Sequence, residues 1–128
     1  MGKLRMFDTV FEGTTLVIAP TGPVSNLGAH DMLSDVGSLS TLVQSDTCRN
    51  VVVDMEKVTF FGSVLLGVLN SLSKQIRQRQ GRFVLCGLTQ VGGEVIHATR
   101  FDTLWPIYPS RREALKALAE EDGLANTE

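Results

Sequence analysis

Three β-branched residues in a row, Val51-Val52-Val53, constrain this chain more than any other stretch. An uninterrupted apolar run of this kind suits a strand buried on both faces, the setting of a parallel sheet. Asp54 ends the run, and Phe60 and Phe61 are expected to return the chain to a core. Gly62 and Ser63 then open a helix, with Ser63 at or next to the N-cap and its hydroxyl on a free backbone N–H. Leu65, Val68, Leu69, Leu72 and Ile76 recur at helical spacing and predict one apolar face. This helix is expected to reach Gln80, with Gly81 as its stop. Arg82 to Leu88 reads as a second buried strand. Strand, helix and strand in this order predict a right-handed βαβ unit with parallel strands.

The flanking segments extend the same pattern. Met6–Glu12 and Thr15–Ala19 flank a Gly13-Thr14 turn and predict a hairpin. Pro20-Thr21-Gly22-Pro23 is expected to be a loop, because proline offers a ladder no N–H. Val24 to Asn26 leads into a helix over 29–44, with Met32, Leu33, Val36, Leu39, Leu42 and Val43 as its apolar stripe. Ser45-Asp46-Thr47 ends that helix. A short helix from Thr89 or Gln90 to Thr99 is weakened by Gly92 and Gly93. Phe101 and Leu104 are expected to close the core, and Trp105 to Tyr108 reads as a short edge strand containing Pro106. Pro109 to Arg112 starts a last helix with Ala114, Leu115, Ala117 and Leu118 as its buried stripe, and Glu121 to Glu128 reads as a flexible, frayed acidic tail. The order β-β-α-β-α-β-α-β-α predicts one α/β domain over 1–128, with its core at 5–120. Its sheet is mixed, with four to five strands and helices packed mainly on one face, and the hairpin supplies the antiparallel part.

Composition narrows the function classes. A chain of 128 residues is large enough for a single core without staples. A formal net charge of −2 and a pI near 5.7 give no electrostatic case for nucleic acid. No apolar run approaches the ~20 residues that span a membrane. The basic start, Met1 to Arg5, leads into no signal-peptide apolar region, and Met6 stands where a myristoylation motif wants Ser or Thr. Cys48 and Cys86 lie far apart with no metal spacing, and Cys86 reads as an inert core thiol in a reducing, cytoplasmic compartment. His30 and His97 have no Cys or Glu at ligand spacing, and neither GxGxxG nor a Walker sequence occurs, so no metal or cofactor is expected.

Two chemical alternatives fail on particular residues. Phe61-Gly62-Ser63-Val64-Leu65 puts a serine on a strand-to-helix turn but lacks the glycines of a G-x-S-x-G nucleophile elbow. Asp54 ends a Val-rich strand, as does the phosphoacceptor of a response-regulator receiver. A receiver also needs an acidic pair after its first strand for Mg²⁺ and a Lys after its fifth. Here Asp8 lies within the first strand, and Arg111 and Arg112 rather than a Lys follow Tyr108. Asp54 is therefore expected to be a structural strand-end residue, and no catalytic residue is expected.

A family resemblance rests on three pieces of the central stretch: Val53-Asp54, Val58-Thr59-Phe60-Phe61, and Gly62-Ser63-Val64-Leu65-Leu66-Gly67-Val68-Leu69. Together they resemble the signature of the STAS domain, which anti-sigma-factor antagonists and sulphate transporters share. That signature is a strand ending in Asp, a short apolar link, and Asp-Ser-Ser-Gly-Leu-Gly-Val-Leu. Ser63 falls on the Ser that a partner kinase phosphorylates, and Leu66 to Leu69 fall on Leu-Gly-Val-Leu. Gly62 replaces the family's Asp, Val64 its second Ser and Leu65 its Gly.

The resemblance implies a non-enzymatic, anti-sigma-factor antagonist-like regulator. It would bind an anti-sigma serine kinase through Gly62, Ser63, Val64, Leu65, Leu66 and Gly67, and phosphorylation of Ser63 would end the contact. The loss of the acidic neighbour at Gly62 keeps an alternative open: a non-phosphorylated STAS interaction subunit of a signalling assembly or transporter complex. Val64 and Leu65 either make the rim more apolar, favouring a partner or a homodimer, or turn inward.

Overall fold

The computed structural model describes residues 6–21 and 29–126, with side chains described over 6–21 and 34–121. Residues 1–5, the Gly22-Pro23 part of the expected loop, the Val24–Asn26 lead-in, the side chains of Met32 and Leu33, and residues 127 and 128 lie outside the described residues. Five strands form one sheet in sequential order: β1 (Phe7–Glu12), β2 (Thr15–Pro20), β3 (Asn50–Asp54), β4 (Arg82–Cys86) and β5 (Ile107–Tyr108). β1 and β2 are antiparallel around Gly13, whose φ of 65° suits a residue without a Cβ. β2 to β5 are parallel, and Val51, Val52 and Val53 stand opposite Phe83, Val84 and Leu85. The helices among the described residues are α1 (Ala29–Val43), α2 (Ser63–Gln78), α3 (Gln90–Ala98) and α4 (Arg111–Asn126).

Each parallel crossover advances the sheet by one strand. Right-handed crossovers that advance in one direction leave their helices on one face. Accordingly α1, α2 and α3 share a core with Leu16, Ile18, Val51, Val53, Phe83 and Leu85. Period-two alternation sends Val17, Val52, Val84 and Cys86 to the opposite face, where α4 covers them with Ala114 and Leu118. Val51, Val52 and Val53 are fully buried because both faces are covered.

Several local expectations are corrected by the structure. Pro20 is the last residue of β2, opposite Phe7. The next pair along carries the bond from Thr21 N–H to Met6 O (2.8 Å), so Pro20 falls where the antiparallel ladder needs no N–H. β3 pairs with β2 only as far as Ile18, so that side needs no donor from Pro20 either. The stop of α2 is Gln80, at φ 65°, not Gly81. Gln80 N–H donates to Arg77 O (2.9 Å) and Gly81 N–H to Ile76 O (2.9 Å), a Schellman closure. Gly81 is needed for space instead: a Cβ there would lie 2.0 Å from Arg49 O and 2.7 Å from Ile76 Cγ1. α3 forms despite its glycines because Thr89 caps it, accepting from Gly92 N–H at 3.0 Å.

The residue that closes the core is Trp105 rather than Leu104, which is exposed. The Trp105 indole stacks on Phe101 at 4.3 Å and donates Nε1–H to the buried Ser73 hydroxyl at 2.9 Å. The edge strand is correspondingly shorter than expected, Ile107–Tyr108 alone. Ser110 caps α4: its hydroxyl accepts from Glu113 N–H and donates to Glu113 Oε2, both at 3.3 Å. Its backbone stays helical to Asn126, well into the stretch that reads as a tail.

Candidate functional site

The site grows out of the link between β3 and α2. Met55 N–H donates to Cys86 O (2.9 Å) and Val58 N–H to Met55 O (3.0 Å), which turns the chain back over the sheet end. Met55, Val58 and Phe61 are buried and anchor the link in the main core. Phe60 is not an anchor: it is 54% exposed. The link has no regular period, and its course turns Phe61 into the core and leaves Phe60 outside.

Gly62 is the N-cap of α2, in an extended conformation (φ −117°, ψ −160°) and with no side chain to cap. Ser63 is therefore the first helical residue rather than the cap. Its side chain is exposed and makes no hydrogen bond among the described residues. The first turn of α2 thus starts without a side-chain cap and without an acidic residue, which leaves its N–H groups and positive dipole end available to an anion.

The six residues expected to meet a partner divide by direction. Gly62, Ser63, Val64 and Gly67 are exposed, with Val64 at 40%. Leu65 and Leu66 are buried in the main core, so neither supplies a partner-facing surface; helical spacing puts both with Leu69 on the inward stripe. At Gly67 no atom lies within 4 Å of the position a Cβ would take.

Two further exposed apolar residues lie outside α2, where its periodicity does not reach: Phe60 in the link and Val91 in the first turn of α3. α3 is tied to the link by the Thr89 hydroxyl, which donates to Thr59 O at 3.1 Å. The missing side chain of Gly92 admits the Phe61 ring, which lies 3.3 Å from the position of a Cβ.

Asp54 behaves as a structural strand-end residue. It is 7% exposed, accepts from Arg111 Nε at 2.9 Å on Oδ2, and accepts from Glu56 N–H at 3.1 Å on Oδ1. No three His, Cys, Asp or Glu side chains gather to hold a metal among the described residues. His97 pairs with Asp102 at 2.8 Å on the surface. Both thiols are buried. Burial pushes Cys86 up to about 12, helped by the Asp54 carboxylate and opposed by Arg111. Burial also raises Cys48. Neither is poised as a nucleophile. No helix among the described residues is long and apolar enough to cross a membrane.

Comparison with known proteins bears on the same elements. The STAS domain model matches residues 7–114. A Bordetella bronchiseptica protein named as an anti-sigma factor antagonist, BtrV, is 36% identical over 69 residues, 54% of this chain and 60% of that relative's length. The structure of an anti-sigma-factor antagonist (STAS) domain protein from Planctomyces limnophilus superposes with a TM-score of 0.78 at 30% identity, over 88% of this chain and 97% of that one. The Bacillus cell fate determinant SpoIIAA in its phosphorylated form shares the fold, with a TM-score of 0.69 at 18% identity over 87% of this chain and 97% of that one. The matched residues run from β1 through all five strands into α4, and on that span the chain belongs to the STAS domain family.

Proposed function

We propose that this protein is an anti-sigma-factor antagonist that works by partner switching in the cytoplasm. The surface at the start of α2 binds an anti-sigma serine kinase, which frees a sigma factor for transcription, and phosphorylation of Ser63 ends the contact. The observation that carries this reading is Ser63 itself, exposed as the first residue of α2 beside the exposed apolar side chains of Phe60 and Val64. A phosphate there adds about −1.5 to −2 charge at the positive end of a helix, which the fold tolerates. A partner seated on the apolar rim would have to desolvate that charge or leave. The names of the relatives support the reading: BtrV as an anti-sigma factor antagonist, and SpoIIAA solved in a phosphorylated form. This chain does no chemistry of its own in the scheme.

One observation favours a second reading. The first turn of α2 carries no acidic residue, since Gly62 stands where the family has Asp. A kinase that needs that acid would pass this serine by, leaving a non-phosphorylated interaction subunit of a signalling assembly or transporter complex. The test is incubation with ATP and the kinase encoded next to this protein's gene, followed by phosphate mapping by mass spectrometry. Phosphate on Ser63 with loss of binding supports the antagonist. No phosphate at any site favours the subunit, and phosphate on Thr59 would overturn the assignment of Ser63.

A further inference from the structure

We infer that Asp54 and Arg111 are positioning residues for the Ser63 surface: their ion pair makes the docking of α4 a condition for the shape of the link Met55–Gly62. The functional meaning rests on the reading of Ser63 given above, while the structural coupling stands apart from it. Asp54 closes β3, and its two oxygens serve opposite parts of the molecule. Oδ2 accepts from Nε of Arg111, the first residue of α4, at 2.9 Å. Oδ1 accepts from Glu56 N–H, in the link, at 3.1 Å. Both bonds end on a carboxylate, so each is charge-assisted and stronger than a neutral one.

The surroundings fit this one carboxylate position closely. Gly87, at φ 69°, passes so near that a Cβ would lie 3.0 Å from Asp54 Oδ1 and 3.3 Å from the Glu56 Cβ. Gly87 N–H donates to Tyr108 O (3.2 Å), so the end of β4, the end of β5 and the link meet at the same point. The link leaves this point toward Phe60, Gly62 and Ser63.

Among the described residues, α4 meets the sheet through a small cluster, with Leu115 and Tyr108 partly buried against it. Ala114 and Leu118 are its fully buried side chains among the described residues, and its two ion pairs sit at opposite ends. Arg111–Asp54 lies at the carboxyl end of β3, and Arg82–Glu121 at the amino end of β4. Removing Arg111 leaves the Asp54 carboxylate buried without its counter-charge, and the turn that shares that carboxylate is the part that gives way. Removing Arg82 frees only an exposed pair at the far end.

The test is amide hydrogen exchange on the full chain for wild type, Arg111→Gln, Arg111→Lys and Arg82→Gln. Arg111→Gln should speed exchange at Glu56 and Val58 by about tenfold, and Arg111→Lys, which keeps the charge, should recover most of that protection. Arg82→Gln should leave both amides at the wild-type rate. Unchanged exchange at Glu56 and Val58 in Arg111→Gln, or equal acceleration in Arg82→Gln, would overturn the coupling. No partner is present in this assay, so it is read the same way whether or not Ser63 is phosphorylated. For the functional consequence, the kinase that binds the wild type should bind Arg111→Gln about tenfold more weakly, with Arg111→Lys restored. Wild-type affinity in Arg111→Gln, with the link loosened, would overturn the positioning role.

Discussion

Gly67 separates what helps the fold from what helps a partner. It lies inside α2 one turn after Ser63, it is exposed, and the space where its Cβ would stand is empty to 4 Å. Glycine within a helix costs about 0.5–1 kcal/mol relative to alanine, from backbone freedom lost on folding. No contact among the described residues offsets that cost, so Gly67→Ala should raise the unfolding free energy by about 0.5–1 kcal/mol. Urea denaturation measures this as a higher midpoint with an unchanged slope. Gly37 in α1 is open in the same way and is the control. Gly37→Ala should stabilise by a similar amount and leave partner binding alone. Gly67→Ala should weaken binding by about tenfold or more, because a methyl forced into a packed contact costs about 1–3 kcal/mol. A destabilised Gly67→Ala would refute the helix geometry. A stabilised Gly67→Ala that binds like wild type would refute the placing of the partner at this surface.

Other outcomes are expected elsewhere in the chain. Leu69 is fully buried on the inward face of α2, and Leu69→Ala should cost about 2–5 kcal/mol in denaturant melts, whereas a loss under about 0.5 kcal/mol would contradict its packing. A thiol reagent near neutral pH should label neither Cys48 nor Cys86 in the native protein and both in urea; rapid native labelling would contradict the burial of both. The folded Cys86 thiol is pushed from 9.0 up to about 12, chiefly by burial, so its contribution to stability is complete below the unfolded value and is lost as pH rises from 9.0 toward about 12. Urea midpoints should therefore fall across that alkaline window, and a rise there would contradict the shift.

The parts of the fold with a strong period are those legible in the residues. Val51–Val53 and Phe83–Leu85 read as buried strands because apolar side chains continue on both faces, and they pair as adjacent parallel strands. The inward stripe of α2 follows its 3.6-residue spacing, and the same spacing explains why Leu65 belongs to the core and Val64 to the rim. Segments without a period carry no such signal. Phe60 and Phe61 are chemically identical neighbours, and only the course of an irregular link decides which is outside. Leu104 and Trp105 trade places for a similar reason: the short 3-10 turn at Phe101–Thr103 turns the indole onto Phe101 and Ser73. Gln80 takes the left-handed position that glycine usually fills, because the close approach of Arg49 O and Ile76 reserves Gly81 for space. Of the six residues that the motif names, Gly62, Ser63, Val64 and Gly67 lie on the surface, whereas Leu65 and Leu66 are buried. Phe60 and Val91 needed the tertiary contact between Thr89 and Thr59 to be brought to the same end of the sheet.

The most direct measurement is calorimetric titration of the unmodified protein, Ser63→Ala and Ser63→Asp with the proposed anti-sigma kinase partner. Ser63 makes no cap bond, so Ser63→Ala removes only the phosphate acceptor and should bind like wild type. Ser63→Asp should fold as well as wild type, since a carboxylate at the start of a helix is favourable by about 0.3–1 kcal/mol. Its affinity should nevertheless fall by about tenfold or more, because the charge must be desolvated against the rim of Phe60 and Val64. Equal affinity for all three proteins would contradict the claim that charge at Ser63 is the switch.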